Sequence, residues 1–168
     1  MPNVELEPCR PEQRPALEAM FQLYVHDFSE HWNGTERGEL QEDGRFPDYP
    51  GLDRYWREPA RSAWLIRVDC HIAGFALLSA SSHSGVPADH DMAEFFVARK
   101  HRRAGVGFAA ANQLIRARPG QWEIAVARAN AGALTFWRGV ARAMSPDVEE
   151  RDLNDDRWNG AILRFVVA

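Results

Sequence analysis

The sequence has few cysteines, no long apolar run and no excess of basic residues, and each absence excludes a class of protein. Its two cysteines, Cys9 and Cys70, are too few and too isolated for a disulfide framework or a zinc site. No window of about 18 apolar residues exists and the N-terminus has no apolar core of the signal-peptide type, so we expect a cytoplasmic protein without membrane association. The net charge of −4 argues against a dedicated nucleic-acid binder, because such domains are usually basic.

The composition is that of an ordinary globular protein, with 45% apolar and 26% charged residues among 168. A chain of this length buries a substantial core without metal or disulfide bonds, so we expect one domain over residues 1–168. His83 and His90 lie near Asp91, but no helical or turn spacing brings three ligands together. We therefore expect no metal site.

Alternating and helical apolar patterns divide the chain into strands and helices and predict an α/β fold. The stretch 33–52 is rich in glycine, proline and acidic residues, which predicts a long irregular loop. Strands are predicted at 3–9, 63–68, 72–79, 92–97, 122–126, 148–153 and 161–167, and helices from Pro11, from residue 106 to 117 and from Asn130 to residue 144.

Residues 94–107 form a short apolar strand, a basic glycine turn and the first turn of a helix. Gly105 and Gly107 let the backbone approach an anion without a Cβ in the way. A helix N-terminus adds about half a positive charge and several unpaired N–H groups. The fingerprint of dinucleotide-binding proteins is incomplete, because Asn130 stands where an acidic residue is required. The turn nevertheless predicts a pyrophosphate site.

Two segments resemble motifs of the GNAT superfamily of N-acetyltransferases. Residues 102–107, Arg-Arg-Ala-Gly-Val-Gly, are similar to the (Gln/Arg)-x-x-Gly-x-(Gly/Ala) acyl-CoA motif. Residues 130–137, Asn-Ala-Gly-Ala-Leu-Thr-Phe-Trp, resemble the Asn-x-x-Ala-x-x-Phe-Tyr helix start, except that Trp137 replaces the tyrosine. The resemblance implies the GNAT acyl-CoA N-acyltransferase fold, an α/β fold of the α+β type whose mixed, mostly antiparallel central sheet is flanked by helices.

The resemblance also implies which residues hold acetyl-CoA. Backbone N–H groups of residues 103–107 and the Arg102 side chain would hold the pyrophosphate. The fourth and fifth strands would separate around the pantetheine arm, with the Val97 N–H facing the thioester carbonyl. Asn130 would contact pantetheine, cap its helix, or do both. The implied cofactor-binding residues are Phe96, Val97, Arg99, Arg102, Arg103, Ala104, Gly105, Val106, Gly107, Asn130, Phe136 and Trp137.

Four residues are candidates for proton transfer. An alkylammonium has a pKa of about 10, so it must lose a proton before it attacks. Glu94, in an acidic-Phe-Phe-Val run similar to that of polyamine acetyltransferases, is the first candidate base and Asp91 the second; each is alternatively a buried structural carboxylate or a binder of the acceptor's charge. Trp137 cannot protonate the departing thiolate. Either Tyr24 or Tyr49 protonates it instead, or the thiolate departs as the free anion.

The acceptor site is predicted from the first helix and the long loop. Asp27 lies at the edge of the apolar face of that helix, where a carboxylate either pairs with another group or faces a cavity. Tyr49 and Phe46 of the loop would supply apolar walls. The acidic residues of the loop favour a cationic acceptor, although a solvated acidic loop explains them as well.

The function implied by the resemblance is acetyl transfer from acetyl-CoA to a primary amine of a small, cationic molecule or a peptide, by direct attack in a ternary complex. The alternative, from another class, is a non-catalytic CoA-binding or sensing module. A nucleic-acid patch at 99–103 is disfavoured by the acidic net charge and the lack of interleaved aromatics. GNAT proteins are often dimers, so a homodimer is compatible with the resemblance.

Overall fold

The computed structural model describes all residues 1–168 and contains seven strands and four α-helices. None of the helices is long and apolar enough to cross a lipid bilayer. The strands are β1 (Val4–Pro8), β2 (Ser62–Val68), β3 (His71–Ser79), β4 (His90–Val97), β5 (Gly120–Ala127), β6 (Val148–Asn154) and β7 (Asn159–Val167). The helices are α1 (Arg14–Ser29), α2 (Arg54–Arg57), α3 (Val106–Arg116) and α4 (Ala131–Met144).

All seven strands belong to one sheet, in the order β1-β2-β3-β4-β5-β7-β6. Every neighbouring pair is antiparallel except β4 and β5, which run parallel. The predicted mixed, mostly antiparallel sheet is therefore confirmed. The connection from β4 to β5 passes through α3, as a crossover between parallel strands requires.

Helices cover both faces of the sheet. On one face α3 and α4 pack against β4, β5 and β7 around Trp122, Leu114 and Val140, all of which are at most 1% exposed. On the other face α1 and α2 pack on β2 and β3 through Leu17, Phe21 and other apolar residues. Because β3 lies between two helical layers, its residues 73–78 are buried in succession and read as an unbroken apolar run.

The long loop is irregular as predicted, but it is anchored to α1. The side-chain amide of Gln22 bonds both backbone groups of Phe46, accepting from its N–H at 2.8 Å and donating to its carbonyl at 3.1 Å. Phe46 itself is 7% exposed and Leu52 3%. The one-turn helix α2, which follows the loop, was not predicted, because four residues are too few to show a helical period.

A β-bulge in β4 determines where Glu94 points. Glu94 pairs with Leu77 and Met92 with Leu78, so Ala93 has no partner across the ladder. Without the bulge, residues 92 and 94 would share a face. With it, Met92 packs in the core under α3 and α4, whereas Glu94 contacts α1.

Candidate active site

The parallel strands β4 and β5 separate towards their C-terminal ends. They are paired only at His90 with Trp122 and at Asp91 with Glu123. Further along β4, the N–H of Ala98 donates to the carbonyl of Ala73 in β3 at 2.7 Å. Because N–H groups alternate in direction along a strand, that of Val97 points away from β3 and into the gap. The gap thus exposes unpaired strand backbone next to β5.

The turn that follows β4 presents a run of free N–H groups. Arg103 has φ 62° and Gly105 has φ 78°, and such left-handed residues among extended and right-handed ones aim successive N–H groups at one point. No backbone N–H of residues 103–108 has a hydrogen-bond partner within the protein, and the first helical bond runs from Ala109 N–H to the Gly105 carbonyl at 2.9 Å. A Cβ on Gly105 would meet no atom within 4 Å, so the space in front of the turn is open. The N–H groups at the N-terminus of α3 therefore have the arrangement that suits an anion.

A cavity of about 520 Å³ connects the turn, the gap and the C-terminal end of α1. Most of the residues predicted from the sequence to bind ligand contribute to its wall: Tyr24, Asp27, Phe96, Val97, Arg102, Arg103, Gly105, Gly107, Asn130, Phe136 and Trp137. Other predicted residues lie outside the wall: Phe46, Tyr49, Asp91, Glu94, Arg99, Ala104 and Val106. Wall residues that sequence reasoning missed include Phe28, Glu30, His31, Phe95 and Phe108. Phe95 belongs to the acidic-Phe-Phe-Val run but was taken as part of the apolar strand, and Phe28 as part of the apolar face of the first helix, whereas the other three carry no motif.

The start of α4 closes the cavity opposite β4. The Asn130 side chain accepts from the Ala133 N–H at 3.3 Å, which caps the helix. Trp137 packs edge to face against Phe95 and Phe136, with ring centroids 5.1 and 4.8 Å away. Although Trp137 is only 7% exposed, its indole N–H has no partner within the protein, so it is available to a ligand in the cavity.

Glu94 is hydrogen-bonded to α1. The Tyr24 hydroxyl donates to Glu94 Oε2 at 2.5 Å. Burial raises the pKa of Glu94, and the hydrogen bond from Tyr24 opposes that rise. Burial and the adjacent Glu94 charge raise the pKa of Tyr24 well above its usual value, so Tyr24 keeps its proton. Tyr24 lines the cavity and Glu94 does not, which makes the phenol the group that a ligand meets first.

Asp91 lies deeper in the sheet. It is 1% exposed, and its Oδ2 accepts from Ser79 Oγ at 3.0 Å, whereas Oδ1 has no partner. Burial raises its pKa to about 7, against the hydrogen bond from Ser79. Asp91 can hold a proton at neutral pH, but it does not reach the cavity wall.

The two predicted loop residues take other positions. Phe46 is buried, and its backbone is hydrogen-bonded to the side chain of Gln22. Tyr49 stacks on Phe21 with a centroid distance of 4.5 Å and lines a separate small cavity of about 40 Å³. The loop therefore packs against α1 instead of forming a wall of the large cavity.

Comparison with known proteins agrees with this geometry. Residues 17–140 match the model of the acetyltransferase (GNAT) family, and the chain belongs to that family. The resemblance seen in the two motifs is confirmed. A search of curated proteins finds no match.

Solved structures of similar fold cover nearly the whole chain. An acetyltransferase from Thermus thermophilus is 16% identical, with a TM-score of 0.68 over 98% of this chain and 97% of its own. A GNAT family acetyltransferase from Elizabethkingia anophelis with acetyl-CoA bound is 11% identical, with a TM-score of 0.57 over 98% and 99%. The aminoglycoside acetyltransferase AAC(6')-Ib, in complex with coenzyme A and kanamycin, is 8% identical, with a TM-score of 0.61 over 98% and 95%. At these identities the likeness concerns the fold.

Proposed function

We propose that this protein is an acetyl-CoA-dependent N-acetyltransferase that acts on a primary amine of a small, cationic molecule or a peptide. The observation that carries the proposal is the run of unpartnered N–H groups at residues 103–108, which opens into the same cavity as Val97, Tyr24 and Trp137. The end of the cavity at residues 103–108 suits a diphosphate, and its middle, beside Val97, suits an extended chain. The far end is lined by Tyr24, which is hydrogen-bonded to Glu94 behind it.

The residues present fit acetyl-CoA. The turn at 103–108 offers N–H donors to the diphosphate, and Arg103 adds a positive charge on the same wall. The gap between β4 and β5 leaves room for the extended pantetheine arm beside the free N–H of Val97, whose carbonyl accepts from Arg102 Nε. The thioester end of the arm would lie beside Val97, and the Val97 N–H would donate to the thioester carbonyl and stabilise the negative charge that develops on its oxygen. The cosubstrate supplies the activated acetyl group.

Glu94 and Tyr24 would deprotonate the amine. An alkylammonium with a pKa of about 10 is almost fully protonated at neutral pH. Glu94 accepts the proton, either through the Tyr24 hydroxyl, which passes on its own proton as it receives another, or through a water beside it. The neutral nitrogen then attacks the carbonyl carbon, the carbon–sulfur bond breaks with its electron pair on sulfur, and the second proton of the nitrogen passes to the thiolate or to water. Asp91 remains the second candidate, and its burial behind Ser79 favours Glu94.

Trp137 would not protonate the departing sulfur, because an indole N–H has no accessible pKa. Its unpartnered N–H is instead placed to donate a hydrogen bond to the thiolate. A thiol with a pKa of about 8.5 leaves readily as the anion, and Tyr24 is a proton donor that lines the same cavity. The replacement of the family tyrosine is therefore compatible with turnover.

The acidic groups at the α1 end of the cavity support a cationic acceptor. Asp27 and Glu30 line that end, together with the aromatic ring of Phe28. The solved neighbour that holds kanamycin with coenzyme A shows that this fold accommodates such a pair of ligands.

The experiment that tests the proposal is release of free CoA thiol from acetyl-CoA, measured with and without a panel of amines and amine-bearing peptides. Amine-dependent release, with mass-spectrometric detection of the N-acetylated product, is the expected result. Tight binding of acetyl-CoA without amine-dependent release from any member of the panel would favour the CoA-sensing module, for which the exchange of tyrosine for Trp137 is the supporting observation.

A further inference from the structure

The carboxylate of Asp27 in α1 binds two arginines, Arg99 and Arg102, which precede the turn at residues 103–108. Oδ1 accepts from Arg99 Nε at 3.2 Å and Nη2 at 2.7 Å, and Oδ2 accepts from Arg102 Nη2 at 2.5 Å. The Asp27 side chain is 20% exposed, whereas that of Arg99 is 73% exposed. Burial acts to raise the pKa of Asp27, but the hydrogen bonds from Arg102 and Arg99 hold it below its usual value. Asp27 is therefore an anion that neutralises part of the turn.

Arg102 is also held inside the gap between β4 and β5. Its Nε donates to the Val97 carbonyl at 2.6 Å, and its guanidinium lies 5.6 Å from the centroid of the Phe96 ring. The Val97 carbonyl points to the same side as the Val97 N–H. Arg102 thus covers the backbone that the proposed function assigns to pantetheine.

The surroundings of Asp27 suit an organic ammonium. The rings of Tyr24 and Phe28 meet edge to face on the same cavity wall, with centroids 4.9 Å apart. Glu30 adds a second carboxylate at the rim. A primary ammonium on an apolar stem would place its charge on the carboxylate and its stem on the rings, where a cation is also attracted to the aromatic faces. The two arginines occupy the position on the carboxylate that such an ammonium would take.

We propose that Asp27 is a masked binding site for the ammonium group of the acceptor, and that acetyl-CoA unmasks it by drawing Arg99 and Arg102 onto its diphosphate. Guanidinium groups bind carboxylates and phosphates with the same geometry, so the two anions compete for them. A ligand shifts such an equilibrium only by its differential affinity for the two arrangements, which the diphosphate provides. The consequence is an order of binding: acetyl-CoA enters first and the amine second. The inference rests on the proposed function.

Calorimetric titration with CoA tests the competition. Asp27→Asn removes the competing anion, so CoA should bind about three- to tenfold more tightly than to the wild type. Glu30→Gln is the matched control: Glu30 carries the same charge on the same wall but contacts neither arginine, and its CoA affinity should stay within about twofold. An unchanged or weaker affinity in Asp27→Asn overturns the competition. Asp27→Ser carries the same expectation if circular dichroism shows that Asp27→Asn does not fold.

Titration with butylammonium chloride, the probe for the acceptor, tests the unmasking. The wild type saturated with CoA should bind butylammonium at least about tenfold more tightly than the free wild type, and CoA-saturated Asp27→Asn should lose that gain. Equal binding to free and CoA-saturated wild type, or binding to neither, overturns the assignment of Asp27. Absence of CoA binding to the wild type is a different result, since it overturns the proposed function itself.

Discussion

The Tyr24 hydroxyl donates a hydrogen bond to the Glu94 carboxylate across the interface between α1 and β4, at an oxygen–oxygen distance of 2.5 Å. The β-bulge at Ala93 makes this contact possible, because it turns Glu94 to the face of the sheet on which α1 lies. Tyr24 lines the cavity and Glu94 stands behind it. In the proposed mechanism, a proton taken from a bound amine would therefore reach Glu94 through Tyr24 or through water next to it.

Replacement of Glu94, the proposed base, should abolish most turnover without changing the affinity for acetyl-CoA. Glu94→Gln keeps the shape of the side chain but cannot accept a proton, so kcat should fall about 10²- to 10⁴-fold. The calorimetric Kd for acetyl-CoA should not change. Glu36→Gln, on the exposed loop, is the control that removes one carboxylate elsewhere. A Glu94→Gln enzyme with near wild-type kcat would assign the base to another residue.

Loss of the Tyr24 hydroxyl should move the pH profile. The hydrogen bond from Tyr24 opposes the burial that raises the pKa of Glu94, so Tyr24→Phe should raise that pKa further. A general base works only when it is deprotonated, and the acidic limb of kcat/KM against pH should therefore move to higher pH. Thr35→Val is the control, because it removes a hydroxyl that bonds the Trp32 carbonyl in the exposed segment after α1. An acidic limb at the same pH in Tyr24→Phe would show that Glu94 does not titrate in the reaction.

Asp91 should make the protein less stable as the pH rises. Its folded pKa of about 7 lies above its usual value of 3.8, so the folded protein binds the proton more strongly than the unfolded chain does. The free energy of unfolding should therefore fall between about pH 4 and pH 7 and level off above that range. Asp91→Asn should remove this slope. The free energy of unfolding of the variant, measured relative to that of the wild type, should therefore be roughly 1–3 kcal/mol higher at pH 8 than at pH 4. Urea unfolding at both pH values measures it, with the exposed Asp156→Asn as the control.

The buried ion pair between Glu123 and Arg164 should hold residues 80–89 on the sheet. Glu123 is fully buried and Arg164 is 7% exposed, and Arg164 also donates to the carbonyls of Val86 and Pro87 at 3.0 and 2.8 Å. Glu123→Gln leaves the guanidinium without a counter-charge, so it should lower the free energy of unfolding by about 3–5 kcal/mol. A single variant of wild-type stability in urea would show that the pair is dispensable.

The order of strands and helices was predictable because local patterns carry it. The hairpin turn at Asp69 and Cys70, the N-cap at Asn130 and the glycine turn before α3 are each specified by neighbouring residues. The separation of β4 and β5 was implied by the family resemblance, and their parallel direction was not predicted, since apolar periodicity does not distinguish strand direction.

The contacts that define the site were less predictable, because they join residues far apart in the sequence. Arg102 is 75 residues from Asp27, and Tyr24 is 70 residues from Glu94. The bulge at Ala93 could not be predicted, because β4 contains no glycine that would indicate a bulge. Phe46 was predicted to form a wall of the acceptor site, because the contact of its backbone with the Gln22 side chain depends on the packing of α1, which the loop sequence does not show.

The most direct test of the account is the affinity for acetyl-CoA of Gly105→Asp compared with Gly34→Asp. Both glycines have φ +78° and no atom within 4 Å of an added Cβ, so the two variants share the same backbone strain and the same new charge. Gly105→Asp places that charge in front of the N–H groups of residues 103–108 and should weaken calorimetric binding at least about 100-fold, whereas Gly34→Asp should bind like the wild type. Equal affinities in the two variants would contradict the assignment of the turn to the diphosphate.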